Sequence, residues 1–319
     1  PHHFAAYSSS DFADHLSGCI NQLRPVVIWV DHLRMAQYWN KQLGIPFILE
    51  THNLEWRLLY DCFRLAPKFG HWHFLVWLIE ALLTKIKEAR YFQEAKAVLA
   101  ISAEDAKEIQ AMSPTASVVV YPPTLKLLKP FTNSKTLIQN SISLLFIGNL
   151  DWYPNADALK YFITQIWPLI PHHHLKVALH VVGQTSTIYN FAKLISQQST
   201  QTIFLHHKQP NLEPFYQQAD VVILPFRIAG GIRMKALEAI QHFKPIITTS
   251  AGVRGLPTHK LADHLPWITA NTPQEFVQAI EQMNGVKHRL TLVQQAKFYA
   301  RAYSQWANKT QKQLGGLVD

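Results

Sequence analysis

Short runs of β-branched and aliphatic residues recur along the chain and alternate with segments of helical periodicity. Most runs are apolar at consecutive positions, which indicates that both faces of each predicted strand are buried. Such strands, separated by helices, are typical of parallel sheets that are covered on both sides. The predicted strands cover residues 26–30, 46–50, 97–102, 117–121, 143–148, 176–183, 202–205, 221–224 and 245–249.

The series of strands is interrupted once. A Pro-Pro pair at 122–123 precedes a polar stretch at 133–140, a composition that favours a linker. The sequence therefore predicts two doubly wound α/β domains, an N-terminal one over residues 1–122 and a second one over 123–290. A helical segment at 291–319 follows, and we expect it to cross back to the first domain.

The first domain has fewer predicted strands than a doubly wound sheet, which usually has about five or six. No glycine-rich turn between a strand and a helix precedes Val26, and the chain starts at Pro1 rather than at Met. These features predict that the N-terminal domain is incomplete.

Composition and charge indicate which kinds of binding partner and cellular setting to expect. Lys and Arg outnumber Asp and Glu by 30 to 21, which favours anionic partners such as nucleotides or phospholipid headgroups. The basic residues are dispersed, so we expect no nucleic-acid partner. The two cysteines, Cys19 and Cys62, cannot form a disulfide framework, and a reducing cytoplasmic setting is expected. No apolar run approaches the ~20 residues of a transmembrane helix.

The most informative segment is Leu224–Ala239. A predicted strand ends here, Gly230 and Gly231 follow, and a helix begins, an arrangement that binds phosphate at the helix N-terminus. Lys235 and Glu238 are three positions apart and share a helical face with Gly231. This face suits a diphosphate and a ribose diol. A surface Lys/Glu pair after a glycine loop is the alternative interpretation.

Four further segments accompany this motif in a fixed order. Together they resemble the C-terminal half of the family 4 (group 1) glycosyltransferases of GT-B type. The donor helix is similar to the branch that reads Gly-Ile/Thr-Arg-x-Lys-x-Leu-Glu-Ala. The accompanying segments are 146–157, 182–183, 212–220 and 249–256.

The resemblance implies a GT-B fold, in which two Rossmann-like domains flank a cleft. It also implies a retaining hexosyltransferase that moves a sugar from a nucleotide-diphosphate donor to a glycan or lipid-linked glycan. The chain contains no Asp-x-Asp motif, which agrees with metal-independent chemistry. We expect no metal and no cofactor, because the nucleotide sugar is a substrate. A nucleotide-sugar epimerase and a non-catalytic fragment that binds nucleotide sugar or polyanions are the alternatives.

The resemblance also assigns site residues by position. Glu238 would bind the ribose hydroxyls, and Gly230 and Gly231 would receive the diphosphate. Gly148 and Asn149 would approach the donor from another loop.

Two departures from the family pattern concern charge. Many relatives place a second glutamate where this chain has Gly230, and an Arg and a Lys near Asn149 and Asn155. We hypothesise that Lys235, together with Arg233, supplies the missing positive charge to the departing diphosphate.

Two histidines follow strands of the first domain and are the candidates for catalysis. His32 has Asp31 as a neighbour, and His52 has Asn53 and Glu55. Both segments resemble the family's cleft loops, where a His lies near the donor sugar and the acceptor. The alternative is that these side chains satisfy backbone groups at the strand ends.

One further segment favours a membrane partner. Residues 71–77, followed by Lys85, Lys87 and Arg90, could form an amphipathic helix at the anionic inner face of a membrane. The alternative is a partly buried helix that packs on the first domain. By contrast, the three histidines at 172–174 predict a solvated loop rather than a metal site.

Overall fold

The structure is a computed structural model that describes residues 2–65, 74–128, 141–184, 191–198, 202–228, 230–258 and 264–312. The predicted linker at 133–140, residues 71–73 of the predicted membrane segment and residues 313–319 lie outside the described residues. The chain divides into two compact units. Unit 1 comprises Pro1–Pro123, Ala229–Ile232 and Ala307–Asp319, and unit 2 comprises Thr124–Ile228 and Arg233–Trp306.

Unit 1 contains a parallel sheet of four strands, which lie in the order of the sequence. Its two central strands are apolar on both faces, as the consecutive apolar runs predict. The third strand ends at Ala100, earlier than predicted, because Ser102 caps the next helix by accepting a hydrogen bond from Asp105 N (3.0 Å). The strands are β1 (Ile28–Asp31), β2 (Phe47–Thr51), β3 (Ala97–Ala100) and β4 (Val118–Val120).

Helices of unit 1 cover the sheet and bury an apolar core around Phe47, Val98 and Phe92. Short 3-10 turns at Leu33–Tyr38 and Lys41–Leu43 connect the first two strands. The helices are α1 (His2–Ala5), α2 (Ser10–Leu23), α3 (Glu55–Leu65), α4 (Phe74–Glu94) and α5 (Ala103–Met112).

Unit 2 contains a parallel sheet of six strands in the order β10-β9-β8-β5-β6-β7. The order reverses at β5 and β8, and ligands bind outside the carboxyl ends of the strands at such a switch point. The sequence pattern does not predict β10, which has only three residues, of which one is buried. The strands are β5 (Ser141–Ile147), β6 (Lys176–Val182), β7 (Ile203–His206), β8 (Val221–Leu224), β9 (Ile246–Thr248) and β10 (Trp267–Thr269).

The helices of unit 2 begin with recognisable signals. Thr272 and Glu275 form a capping box with Pro273 at the first helical turn. The last helix belongs to unit 2 up to Trp306 and to unit 1 from Ala307. The helices are α6 (Tyr153–Tyr161), a π turn (Phe162–Ile166), a 3-10 turn (Trp167–Leu169), α7 (Phe191–Ser196), α8 (Glu213–Gln218), α9 (Met234–Gln241), α10 (Pro273–Gln282) and α11 (Val286–Lys312).

None of the helices within the described ranges combines the length and the hydropathy required to cross a membrane.

Candidate functional site

The loops after β5 and β6 approach each other very closely in unit 2. A β carbon on Gly183 would lie 1.7 Å from the carbonyl oxygen of Gly148, and one on Gly148 would lie 2.9 Å from the side chain of Asn155. A larger residue at 183 would require a shift of the backbone, and one at 148 would displace the Asn155 side chain. Asn155 Nδ2 also donates to the carbonyl of Asn149 (2.8 Å). Asn155 therefore shapes this loop.

A cavity of about 300 Å³ opens beside these glycines. Its lining includes Gly148, Asn149 and Lys235, three of the residues that the sequence predicts to bind the donor. Gly183 and a second cation, Lys208, also line it. Two ammonium groups therefore border a cavity at the switch point of the sheet, where an anionic ligand is favoured.

Glu238 lies next to this cavity and is held by two side chains. Lys235 Nζ lies 3.0 Å from Glu238 Oε2, and the Tyr216 hydroxyl donates to the same oxygen (3.2 Å). Burial, together with the charge of Glu238, raises the pKa of Tyr216 well above its ordinary value, so the hydroxyl remains a donor. Tyr216 in turn stacks on His242, with ring centroids 4.0 Å apart. The pairing fixes the carboxylate while Lys235 and Glu238 stay about one-third exposed.

Tyr216 is a residue of this site that the sequence analysis does not single out. It lies in the quoted segment 212–220, but its partner Glu238 is 22 positions away. Tyr216 is buried and contacts Glu238 because α8 packs beside α9. Local periodicity does not predict this packing.

Arg233 is placed differently from Lys235. The sequence predicts a shared role at the diphosphate, but the Arg233 side chain is buried and donates to the carbonyl of Ile228. Its guanidinium lies over the rings of Phe226 (4.9 Å to the centroid) and Trp152 (5.6 Å). Its charge is thus directed at aromatic faces and a backbone carbonyl, which leaves Lys235 as the cation of α9 at the cavity.

The loop before α9 is anchored by Arg227. Its Nε donates to Asp157 Oδ2 (3.1 Å), and its Nη2 donates to Asp157 Oδ1 (2.5 Å). The guanidinium also lies 4.7 Å from the centre of the Tyr161 ring. A bidentate pair of this kind restricts orientation as well as distance. It fixes the start of the segment that leads to the glycines.

The two glycines after β8 pack within unit 1. Gly231 has φ +53°, and a β carbon there would lie 2.3 Å from the carbonyl oxygen of His52. The Asn53 amide nitrogen donates to the carbonyls of His52 and Gly230 (3.0 Å each). Gly231 does not share a helical face with Lys235, contrary to the sequence expectation, because α9 begins only at Met234.

The two predicted catalytic histidines have different surroundings in unit 1. His52 Nε2 lies 2.6 Å from Asp31 Oδ1, and both side chains are largely exposed. A carboxylate accepts, so in the neutral imidazole Nε2 carries the proton and Nδ1 keeps its lone pair. No hydrogen bond to Nδ1 is present within the described part of the chain. His52 and Asp31 thus form an oriented dyad with one free acceptor.

His32 uses both ring nitrogens. Nδ1 accepts from Arg34 N (3.4 Å), and Nε2 lies 3.3 Å from Glu55 Oε1. Burial lowers the pKa of His32, and the charge of Glu55 offsets part of this effect. The residue has φ +78°, a strained conformation for a side chain other than glycine. The geometry agrees with the alternative interpretation that this histidine satisfies groups at the strand end.

The backbone of Glu55 is held by a buried carboxylate, which the sequence analysis does not single out. Glu88 on α4 is fully buried and accepts hydrogen bonds from the backbone N–H groups of Glu55 (2.7 Å) and Trp56 (3.2 Å). It thereby caps the first turn of α3. Burial raises the pKa of Glu88 well above its ordinary value, although these hydrogen bonds lower it in part.

Glu88 predicts a pH dependence of stability. In the unfolded chain Glu88 loses its proton around the ordinary pKa of a glutamate, whereas in the folded chain it keeps the proton to higher pH. The contribution of Glu88 to the free energy of unfolding is therefore largest below the ordinary pKa and decreases as the pH rises toward the raised one. We expect Glu88→Gln to show a shallower decrease over this interval in urea titrations. Parallel curves for the two proteins would contradict this assignment.

One group of His and carboxylate side chains within the described ranges is compact enough to hold a metal ion. The ligand atoms of Asp31, Glu50 and His52 lie within 4.8 Å of one another. Each is already engaged, because Asp31 pairs with His52 and Glu50 accepts from Trp29 Nε1 (2.9 Å). No such group in the described residues includes the histidines at 172–174.

Comparison with known proteins agrees with this architecture. Residues 141–284 match the family model described as "Glycosyl transferases group 1". A Klebsiella pneumoniae protein described as an uncharacterized 44.6 kDa protein in the cps region is 23% identical over 142 residues. That match covers 43% of this chain and 36% of the Klebsiella protein, so the chain spans about a third of the relative.

Solved structures show the fold. A sucrose-phosphate synthase from Thermosynechococcus elongatus aligns with a TM-score of 0.73 at 14% identity, over 96% of this chain and 76% of the other. TarM aligns with a TM-score of 0.67 at 12% identity, over 92% and 54%. An E. coli trehalose-6-phosphate protein bound with UDP-2-fluoro glucose aligns with a TM-score of 0.65 at 10% identity, over 97% and 77%. The chain therefore has the GT-B fold, and its residues 141–284 match the group 1 glycosyl transferases.

Proposed function

We propose that this chain transfers a sugar from a nucleotide-diphosphate donor to a glycan or lipid-linked glycan, with retention and without a metal. The observation that carries the proposal is the cavity of unit 2, where Gly148, Asn149 and Lys235 meet beside Glu238. The match of residues 141–284 to group 1 glycosyl transferases supports the same reaction class. UDP-2-fluoro glucose, bound in one structural neighbour, is a ligand of the same chemical type.

The diphosphate would lie against Lys235. As the bond between sugar and phosphate breaks, negative charge accumulates on the departing diphosphate. A fixed ammonium beside it stabilises the transition state more than the ground state. Lys208 lines the same cavity and adds positive charge there. In this proposal the two cations would offset the charge of the leaving group without a metal ion.

The ribose of the donor would bind to Glu238. A carboxylate accepts hydrogen bonds from both hydroxyls of a diol. Tyr216 holds Oε2 of this carboxylate from the buried side, so the group is oriented before the ligand arrives. Orientation in advance lowers the entropic cost of binding.

His52 would act on the acceptor. Transfer requires the attacking hydroxyl to lose its proton, and His52 Nδ1 is an unoccupied acceptor on an imidazole oriented by Asp31. The carboxylate of Asp31 would stabilise the imidazolium that forms. His32, whose nitrogens are both engaged, would support the loop rather than act on the substrate.

A thermal-shift screen against UDP-, GDP-, ADP- and CMP-sugars tests the proposal. We expect at least one of these donors to raise the melting temperature, because a ligand that binds only the folded state stabilises it by mass action. The stabilising donor should then be consumed only when an acceptor is present.

Three results would contradict the proposal. If none of the donors raises the melting temperature, the chain does not have the proposed donor site. An altered sugar nucleotide without an acceptor would indicate an epimerase. Binding without turnover across a panel of glycan and lipid-linked acceptors would indicate a non-catalytic binding protein.

A further inference from the structure

Helix α4 in unit 1 exposes a continuous row of large apolar side chains. Isolated exposed apolar residues are common on protein surfaces, but a contiguous group indicates an interaction site. These six side chains are between 44% and 69% exposed. They are Leu75, Val76, Ile79, Leu82, Leu83 and Ile86.

The row occupies one face of a helix whose opposite face is anchored. Ala81, Glu88 and Phe92 are buried, and Phe92 belongs to the core of unit 1. The exposed positions recur at intervals of three and four, which places them on a single stripe. The stripe from Leu75 to Ile86 is about 16 Å long at the rise of an α-helix. The helix therefore packs on unit 1 through one face, as the alternative interpretation holds, and its apolar row is exposed on the other face.

Cations border the stripe on both sides. Lys85 and Lys87 flank Ile86 in the sequence, so their side chains leave the helix about 100° to either side of it. The Lys85 ammonium lies 4.6 Å from the centre of the Trp56 ring, and that of Lys87 lies 4.6 Å from the centre of the Phe4 ring. Arg90 is exposed one turn further along.

The acidic side chains of α4 offset only part of this charge. Glu88 is buried, and Glu94 contacts both Arg90 (3.1 Å) and Lys41 (3.6 Å), so one carboxylate faces two cations. Glu80 is half-buried. The chain as a whole carries a formal charge of +9. An apolar stripe with basic borders on a basic protein is complementary to an anionic, amphiphilic surface.

We propose that α4 lies in the plane of an anionic lipid bilayer, with its apolar row among the acyl chains and its lysines at the headgroups. An amphipathic helix of this kind binds through buried apolar area together with attraction to anionic lipid. This inference uses only unit 1 and does not require transferase activity.

A second copy of the chain fits the row less well. Leu75, Ile79, Leu82 and Ile86 follow the 4-3-4 spacing of a coiled-coil seam. In a parallel pair this seam places Lys85 of one copy opposite Arg90 of the other, and two like charges oppose pairing. Anionic headgroups attract both side chains, so the charges favour lipid as the occupant.

Sedimentation of the full chain with vesicles tests this proposal. The wild type should bind vesicles of phosphatidylcholine with about 30% phosphatidylserine at least 10-fold more tightly than pure phosphatidylcholine vesicles. Ile79→Gln combined with Ile86→Gln should weaken binding at least 10-fold, because two apolar side chains no longer enter the bilayer. Both positions are exposed, so the melting temperature should not change.

A matched control variant distinguishes binding through the α4 row from binding through any exposed apolar side chain. Leu169→Gln combined with Leu290→Gln removes two similarly exposed leucines outside α4 and should bind like the wild type. Equal weakening by this control, or no binding of the wild type to anionic vesicles, would overturn the proposal. So would a dimer in light scattering that the α4 variant dissociates, since a second copy would then cover the row.

Discussion

Lys235→Ala is expected to lower turnover by about 10²- to 10³-fold, the loss seen when one preorganised stabiliser of developing negative charge is removed. Lys235 lines the cavity, and its ammonium is held 3.0 Å from Glu238, so its position is fixed before the donor binds. Stability should change by less than about 1 kcal/mol, because the ion pair is partly exposed and such pairs contribute little. Steady-state transfer kinetics and thermal unfolding measure the two effects.

Two further variants make this test specific. Lys287→Ala removes an exposed lysine on α11 and changes the net charge equally, so it should retain wild-type turnover. Lys235→Arg retains the charge and should keep more activity than the alanine variant, although a planar guanidinium does not reproduce the ammonium geometry. A Lys235→Ala protein with unchanged turnover and donor affinity would end the assignment of this residue to the leaving group.

His52→Ala is expected to lower transfer by about 10²-fold while the protein stays as stable as the wild type. The imidazole is 45% exposed and its partner Asp31 is 72% exposed, so water replaces the lost hydrogen bond at little cost. We expect the activity to fall because, in our proposal, Nδ1 accepts the proton of the attacking hydroxyl. Transfer rates should be compared at saturating donor, with urea unfolding as the measure of stability.

His32→Ala is the informative comparison, because both residues are histidines at strand ends of one sheet. Its removal deprives the buried Glu55 of one partner and the Arg34 N–H of its acceptor. We expect a loss of about 1 to 3 kcal/mol in the free energy of unfolding, the usual cost of a buried polar group left unsatisfied. The assignment would be wrong if His32→Ala lost transfer but not stability, and His52→Ala lost stability but not transfer. His32 would then be the catalytic histidine and His52 the structural one.

The sequence by itself determined the parallel sheets and the pairing of Lys235 with Glu238. Runs such as Val221–Leu224 are apolar at every position, and burial on both faces requires such a composition locally. The capping box at Thr272 and Glu275 and the glycines before α9 are likewise local signals. The spacing of Lys235 and Glu238 predicts a shared helical face, and the two side chains do pair. Each of these features depends on residues a few positions apart.

Only the tertiary structure decided which polar groups act together. Glu88 caps a helix that begins 33 residues earlier, and Tyr216 holds Glu238 from 22 residues away. Arg233 and Lys235 are two positions apart, yet one is buried over aromatic rings and the other lines a cavity. The two histidines differ in the partners that neighbouring strands and helices bring to them. Local periodicity sets which face a side chain occupies, but long-range packing sets what it meets there.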